Sequence, residues 1–422
     1  MPVSQRNAAH FRRFQQALRA AGCRKSDRVG LAVSGGGDSI AMMHMAARII
    51  DPANLYVLTV DHGLRPEAAD EIALVADQAK ALGLSHDVAR WSWDMKGNLQ
   101  AAARAGRWDA ILDWAAPREL NMIFMGHTED DQIETVLLRL ARGSGIDGLA
   151  AMARADYRDG LRVVRPLLDV PRAGLRDWLR GERISWCDDP SNDDPRFDRV
   201  RARQMYSQLE KLGLTRKRLL QTVEHVQAAH RSLQRAALDF ARIHVRQDSG
   251  DLVFAPVALK LDKEDAPRRV MAAAFGWVSG NMYRPRFDRM LDVVAQAAKG
   301  HTVTLGGCVL LPHRGAVRLT RETSATTPLF RDASAVRDVN GIMWDRRWYL
   351  AGPLTPGLEV RALADAIRHC PDWRESGLPR KSLLASPSVW NGETLLAAPL
   401  AGLRNGWTAQ IVADFHSTAF AH

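Results

Sequence analysis

The chain is poor in cysteine, and Cys23, Cys187, Cys308 and Cys370 lie far apart without a CxxC pair. That spacing excludes a disulfide framework and a sequence-local zinc or iron–sulfur site, and it fits a reducing, cytoplasmic setting. No apolar run reaches 18 residues, so no segment reads as a membrane-spanning helix. Met1 to Ala20 has no uninterrupted apolar core and carries arginines in a helical pattern, unlike a signal peptide. No internal repeat is evident. Two common nucleotide signatures are missing as well: there is no GxxxxGK[ST], hence no lysine for gripping terminal phosphates, and no GxGxxG for a dinucleotide. Acidic residues are outnumbered, 48 against 58 Lys and Arg, giving a net charge of +10 and a pI near 9.8. Such a surface favours a polyanion, nucleic acid ahead of an acidic membrane.

What is present is ordinary for a folded protein: 25% charged and 46% hydrophobic residues over 422 positions, enough for two or three domains. After a helical stretch around Ala8 to Ala21, short apolar β-type runs recur at Val29 to Val33, Leu55 to Val60, His86 to Trp91 and Asn121 to Met125. Helical stretches alternate with them at Ser39 to Ile50, Pro66 to Leu82, Asn98 to Ala115 and Asp130 to Arg142. Alternation of this kind predicts βαβ units, a parallel sheet covered by helices, and ligands at the carboxyl ends of its strands. The polar, proline-containing string Asp188 to Asp198 breaks the pattern, and a basic helical region follows it. Farther on, helices are expected at Ala266 to Ser279 and Arg286 to Ala298, and β-type runs at Thr302 to Leu305, Val309 to Leu311, Trp344 to Leu350 and Leu395 to Leu400. The expected architecture is an α/β catalytic domain over 1–215, a mostly helical middle domain over 216–325 and a small α+β module over 326–422.

The chemistry starts at Ser34-Gly35-Gly36-Gly37-Asp38-Ser39, which joins the first strand to the first helix of the sheet. Consecutive glycines allow a tight turn and a close approach of backbone N–H groups to a phosphate, at the positive end of a helix dipole. Ser34 and Ser39 add hydroxyls. Without a lysine, the loop suits departing pyrophosphate better than terminal phosphoryl transfer. Read alone, it has a plainer alternative, a glycine-rich turn with a polar cap.

SGGGDS after a strand resembles the SGGxDS loop of the PP-loop ATPases, which attack the α-phosphate of ATP and release pyrophosphate. Five further segments narrow the resemblance to the tRNA(Ile)-lysidine synthases. Val60-Asp61-His62-Gly63-Leu64-Arg65 is similar to VDHxLR; Asn98 to Trp108 to NxQxxAREARY, with Trp108 in place of the usual tyrosine; and Gly126 to Thr135 to GHxxDDQxET. Arg139 to Leu149 follows the family's RGSGxxGL. Arg165 to Arg203 resembles its RPLL, DPSN and FxRNxxR segments, with Val200 where asparagine is common. The likeness runs over roughly residues 25 to 215.

The resemblance implies ATP and Mg²⁺, free L-lysine, and an isoleucine tRNA with a CAU anticodon whose wobble cytidine is adenylated and then attacked by the lysine ε-amine. It implies nucleotide contacts at Ser34, Gly35, Gly36, Gly37, Asp38, Ser39, Asp61 and His62, Mg²⁺ at Asp38, and catalytic roles for Asp131, Glu134, Asp38 and Arg104. Asp131 is the first candidate for receiving the amine's proton and Glu134 the second, although two acids at a helix start also simply complement its dipole. Arg142, Arg199, Arg201 and Arg203 are expected on phosphate or tRNA backbone, within a stretch where Lys211, Arg216, Lys217 and Arg218 face only Glu210. The second and third domains are expected to carry tRNA, the last at the acceptor stem, with a homodimer as a candidate assembly. A tRNA thiolase sharing the adenylation step and a non-catalytic RNA-binding protein are the alternatives.

Overall fold

A computed structural model describes residues 3–61, 68–91, 99–158, 160–188, 196, 198–280, 285–330 and 341–420. They form two compact units, divided after His230.

In the first unit, helix α1 (Val3–Ala20) precedes β1 (Val29–Ala32), α2 (Gly37–Ala47), β2 (Leu55–Asp61), α3 (Ala68–Ala81), β3 (Ser85–Arg90) and α4 (Leu99–Ala115). Then come β4 (Met122–Met125), α5 (Glu129–Ala141), α6 (Ile146–Leu149), β5 (Ala155–Arg158), β6 (Leu161–Val164), α7 (Arg172–Glu182), α8 (Asp198–Lys211) and α9 (Arg216–His244), the last of which continues past the boundary. The sheet order is β3-β2-β1-β4-β6-β5. All neighbours run parallel except β5, which pairs antiparallel with β6 at the edge. The expected parallel sheet is therefore extended by a hairpin, β5 and β6, that the βαβ rhythm does not announce.

Strand order reverses between β1 and β4, whose register pairs Val29 with Met122 and Ala32 with Met125. A reversal of this kind opens a crevice at the carboxyl ends of the two strands. The glycine loop leaves β1 there, and the Gly126 to Asp131 segment leaves β4 beside it. Gly126 makes the approach close: a Cβ at this position would stand 3.1 Å from Ser39 Cα and 3.2 Å from its backbone nitrogen. Helix α2 is apolar around most of its circumference and buries Ile40, Ala41, Met42, Met43, Met45 and Ala46. An all-round apolar helix belongs between layers, and the three methionines are core packing. Phe14 and Leu18 of α1 join Leu175, Trp178 and Leu179 of α7 in the same core.

The second unit contains β7 (Val245–Asp248), β8 (Asp251–Phe254), α10 (Asp265–Ser279), α11 (Phe287–Ala298), β9 (Val303–Leu305), β10 (Cys308–His313) and β11 (Ala316–Arg321). Its antiparallel sheet, in the order β7-β8-β11-β10-β9, packs on the two helices through Val270, Met271, Phe275, Val294, Leu310 and Leu319. Beyond it, strands between Leu329 and Ile411 form two smaller sheets around Trp344, Trp348, Val360, Val389 and Trp407. Arg318 is 1% exposed and pairs with Asp248 and, at 2.8 Å, with Asp251. No helix among the described residues is long and apolar enough to cross a membrane.

Candidate active site

The glycine loop is held from three sides. Gly35 has φ +87°, a left-handed conformation that favours glycine, and a Cβ there would lie 3.1 Å from Glu71 Cβ and 3.4 Å from its carbonyl. Cys187 donates its backbone N–H to Gly35 O at 3.0 Å and bridges to Gly36, while the Trp186 ring lies against Gly37. Inside the loop the Ser39 hydroxyl donates to Gly36 O at 2.9 Å and accepts from the Ser34 N–H at 3.1 Å. With that proton committed, the Ser34 hydroxyl donates to Ser39 Oγ at 3.3 Å, so the two serines staple the turn and leave the loop's backbone N–H groups as the phosphate donors.

Helix α5 begins with Glu129, Asp130 and Asp131, favourable charges for a helix N-terminus. Asp131 Oδ2 accepts from the Thr128 N–H at 2.8 Å and from the Thr128 hydroxyl at 2.7 Å. Its Oδ1 faces Arg172 at 3.3 Å and Arg199 at 3.5 Å. Burial pushes this carboxyl up, but Arg172, His127 and the Thr128 donors outweigh burial and hold it below the ordinary aspartate value. Glu134, one turn on, behaves oppositely. Burial, and then the charge of Asp131, raise its carboxyl against the pull of Arg172 and Arg203. Its Oε1 takes the Arg203 guanidinium at 3.0 Å, while Oε2 is buried without a hydrogen-bond partner.

The residue that gathers these acids is Arg172. Its Nε donates to Asp38 Oδ2 at 2.9 Å, Nη2 to Asp131 Oδ1 at 3.3 Å, and Nη1 lies 3.6 Å from Glu134 Oε1. One guanidinium therefore joins the loop after β1 to the helix after β4. The Arg172 backbone N–H is itself fixed by Asp130 Oδ2 at 2.7 Å. On the other side of Asp130, Arg216 at the start of α9 reaches Asp130 Oδ1 at 2.9 Å and Glu129 Oε1 at 3.1 Å. Asp38, like Glu134, is raised by burial, with Arg172 opposing.

The expected site residues thus divide. The structure brings together Asp38, Asp131 and Glu134. Arg199 and Arg203, expected on phosphate, pair with Asp131 and Glu134. Arg142 and Arg201 share Asp198 on the exposed surface. Asp61 ends β2, one strand over from the loop. His62 lies outside the described residues, as does the Arg104 side chain, although Arg104 belongs to α4. Val200 is buried on α8, a core position where asparagine is common in the resembled motif. Sequence reasoning missed Arg172, and took Arg216 only as one cation of a basic stretch. A signal existed: each is the first residue of its helix, where a cation opposes the helix dipole unless an anion holds it.

The Mg²⁺ expectation has a physical basis in the donors. Mg²⁺ takes hard oxygen ligands and usually binds through one or two carboxylates plus substrate phosphates rather than in an all-protein cage. Asp38 supplies a carboxylate of this kind at the loop. Among the described residues no group of three or more His, Cys, Asp or Glu side chains forms such a cage.

Residues 6–209 match the family described as PP-loop domain. A tRNA(Ile)-lysidine synthase of Ruegeria pomeroyi is 42% identical over 402 residues, covering 94% of each chain. The chain belongs to the tRNA(Ile)-lysidine synthase family. Another relative of that name, from Methylobacterium nodulans, is 40% identical over 307 residues, 70% of this chain and 90% of its own. Among solved structures, the U34-tRNA thiolase NcsA of Methanococcus maripaludis aligns over 53% of this chain and 80% of its own, with 15% identity and a TM-score of 0.46. In lysidine-synthase terms, the matched PP-loop segment ends inside α8, so it includes Arg172, Arg199 and Arg203 and stops before Arg216.

Proposed function

We propose that this chain makes lysidine at the wobble cytidine of a CAU-anticodon isoleucine tRNA, using ATP and free L-lysine. The observation that carries the reading is the pairing of a lysine-free glycine loop on β1 with the acid pair Asp131 and Glu134 on α5, bridged by one guanidinium. The loop's N–H groups and the positive end of α2 suit a leaving pyrophosphate. The cytidine O2 attacks the α-phosphorus, forming an O–P bond as the bond to pyrophosphate breaks. The lysine ε-amine then attacks C2, and AMP leaves with the former carbonyl oxygen.

An ammonium is no nucleophile, so a carboxylate must hold the side chain and take a proton. Geometry favours Glu134 for that step and Asp131 as the permanent anion beside it. One Asp131 oxygen is committed to Thr128, whereas Glu134 has a raised carboxyl and an unpartnered oxygen. Asp38 is the proposed Mg²⁺ ligand; the ion, when bound, would neutralise triphosphate charge. Anticodon bases are unpaired, so presenting the cytidine costs little. We assign tRNA anchoring to the basic residues from 216 onward.

Thiolation fits less well. Cys187 adjoins the loop, but burial, followed by the charges of Glu71 and Asp70, pushes its thiol up and disfavours a reactive thiolate. The test supplies purified protein with the tRNA, ATP and labelled lysine. AMP and labelled tRNA should form only when lysine is present; AMP release that requires a sulfur donor instead would overturn the assignment.

A further inference from the structure

Arg172 does more than stabilise a fold. Its guanidinium occupies the space between Asp38 on α2 and Asp131 and Glu134 on α5, at 2.9, 3.3 and 3.6 Å. It is anchored by its own backbone, since Asp130 takes its N–H at 2.7 Å. Arg199 and Arg203 of α8 reach the same oxygens as Arg172, Asp131 Oδ1 and Glu134 Oε1, Arg216 of α9 serves Glu129 and Asp130, and His127 adds its influence on Asp131. Arg172 contacts all three carboxylates that face the glycine loop. Two cations of the proposed reaction need the same oxygens: a divalent ion at Asp38 and the ammonium of the amine acceptor at Glu134 and Asp131. Opposite charges at such separations in a partly buried site interact strongly enough that two cations cannot share the oxygens without one yielding. The unpartnered, buried Glu134 Oε2 shows that the cluster still has acceptor capacity beyond what the arginines use.

We propose that Arg172 is a built-in competitor for these carboxylates, and that it yields them when nucleotide phosphates arrive, so that divalent ion and amine engage the acids only after ATP. The phosphates are what make the exchange favourable. A guanidinium binds phosphate in a bidentate, charge-assisted fashion, and the glycine loop is contiguous with Asp38, the residue Arg172 already grips. Binding order would then follow from electrostatics, without a moving lid. Arg172 is thereby a positioning residue.

This inference rests on the lysine reading for its amine arm but not for its metal arm. The test uses the full chain, Arg172→Gln and Arg172→Lys, with manganese(II) alone as one probe and L-lysine alone as the other, each without nucleotide. Arg172→Gln should bind manganese at least about tenfold more tightly than the wild type, Arg172→Lys should stay near wild type, and adding Asp38→Asn to Arg172→Gln should cancel the gain. In the wild type, lysine should bind at least about tenfold more tightly once a non-hydrolysable ATP analogue is present. Manganese binding that is equal or weaker in Arg172→Gln overturns the proposal. So does wild-type lysine binding that ignores the analogue, a measurement that needs no variant to fold. If lysine never binds while the manganese arm behaves as expected, the amine assignment fails and the competitor role stands.

Discussion

Glu134→Gln tests the division of labour within the acid pair. The substitution keeps shape and leaves an oxygen for Arg203, which now sits 3.0 Å from Oε1, but removes a proton acceptor whose Oε2 has no hydrogen-bond partner. A free lysine side chain has a pKa of about 10.4, so near neutral pH only about one molecule in a thousand is already the amine. General-base assistance of this kind contributes about 10²–10⁴ in rate, equivalent to roughly 3–5 kcal/mol of barrier. Lysine transfer should fall by that factor. Adenylation does not use the carboxylate, so pyrophosphate release in a single turnover should stay within about threefold of wild type. Rapid-quench experiments with labelled ATP and labelled lysine separate the two steps. Retention of lysine transfer within about threefold, or a parallel loss of pyrophosphate release, would refute the assignment of Glu134.

Asp131→Asn should lower the stability of the first unit by about 0.5–2 kcal/mol near neutral pH, because it weakens the Thr128 contacts that start α5. The folded Asp131 carboxyl lies below its unfolded value, so its contribution is complete above about pH 4 and is lost as pH falls through the folded value. Denaturation at a series of pH values should show the gap between wild type and variant closing below about pH 4. Gly35→Ala places a Cβ at φ +87° and 3.1 Å from Glu71 Cβ; calorimetry should show a loss of about 1–3 kcal/mol, and ATP affinity should fall with it. Arg318→Met strands the buried carboxylate of Asp251, at a cost of about 3–5 kcal/mol to the second unit, or a midpoint lower by roughly 6–20 °C, while ATP binding is preserved.

Much of the first unit was legible because its signals are local and repeated. Strands β1 to β4 and helices α2 to α5 follow the alternation of apolar runs and helical stretches, and the glycine loop and the acids of α5 fall at strand ends, where a parallel sheet places ligands. Hairpin β5–β6 was hidden because the polar residues of β5, Asp156 and Arg158, and Arg162 of β6 interrupt the apolar run that marks the equally short β1 and β4. The antiparallel sheet of the second unit was legible only at β9 and β10; β8 and β11 carry Asp251, Arg318 and Arg321 at positions buried by ion pairing, and β7 has only Val245 as an apolar residue, which breaks the apolar pattern. Within the site, the acids were found by motif and spacing. Their organiser was not, since the contact between Arg172 and Asp38 spans 134 residues and local spacing carries no trace of it.

That separation has a consequence for synthesis. The strands that define the crevice, and all three carboxylates around it, have been made once Glu134 emerges from the ribosome. The arginines that compensate them arrive later, at 172, 199 and 203. Domains begin to fold from the N-terminal side as they emerge, so a nascent chain halted before Arg172 would hold a nearly complete sheet with its acids crowded and mutually repelling. The acid cluster is compensated only when α7 and then α8 dock, making a later-made part of the unit the part that licenses the first.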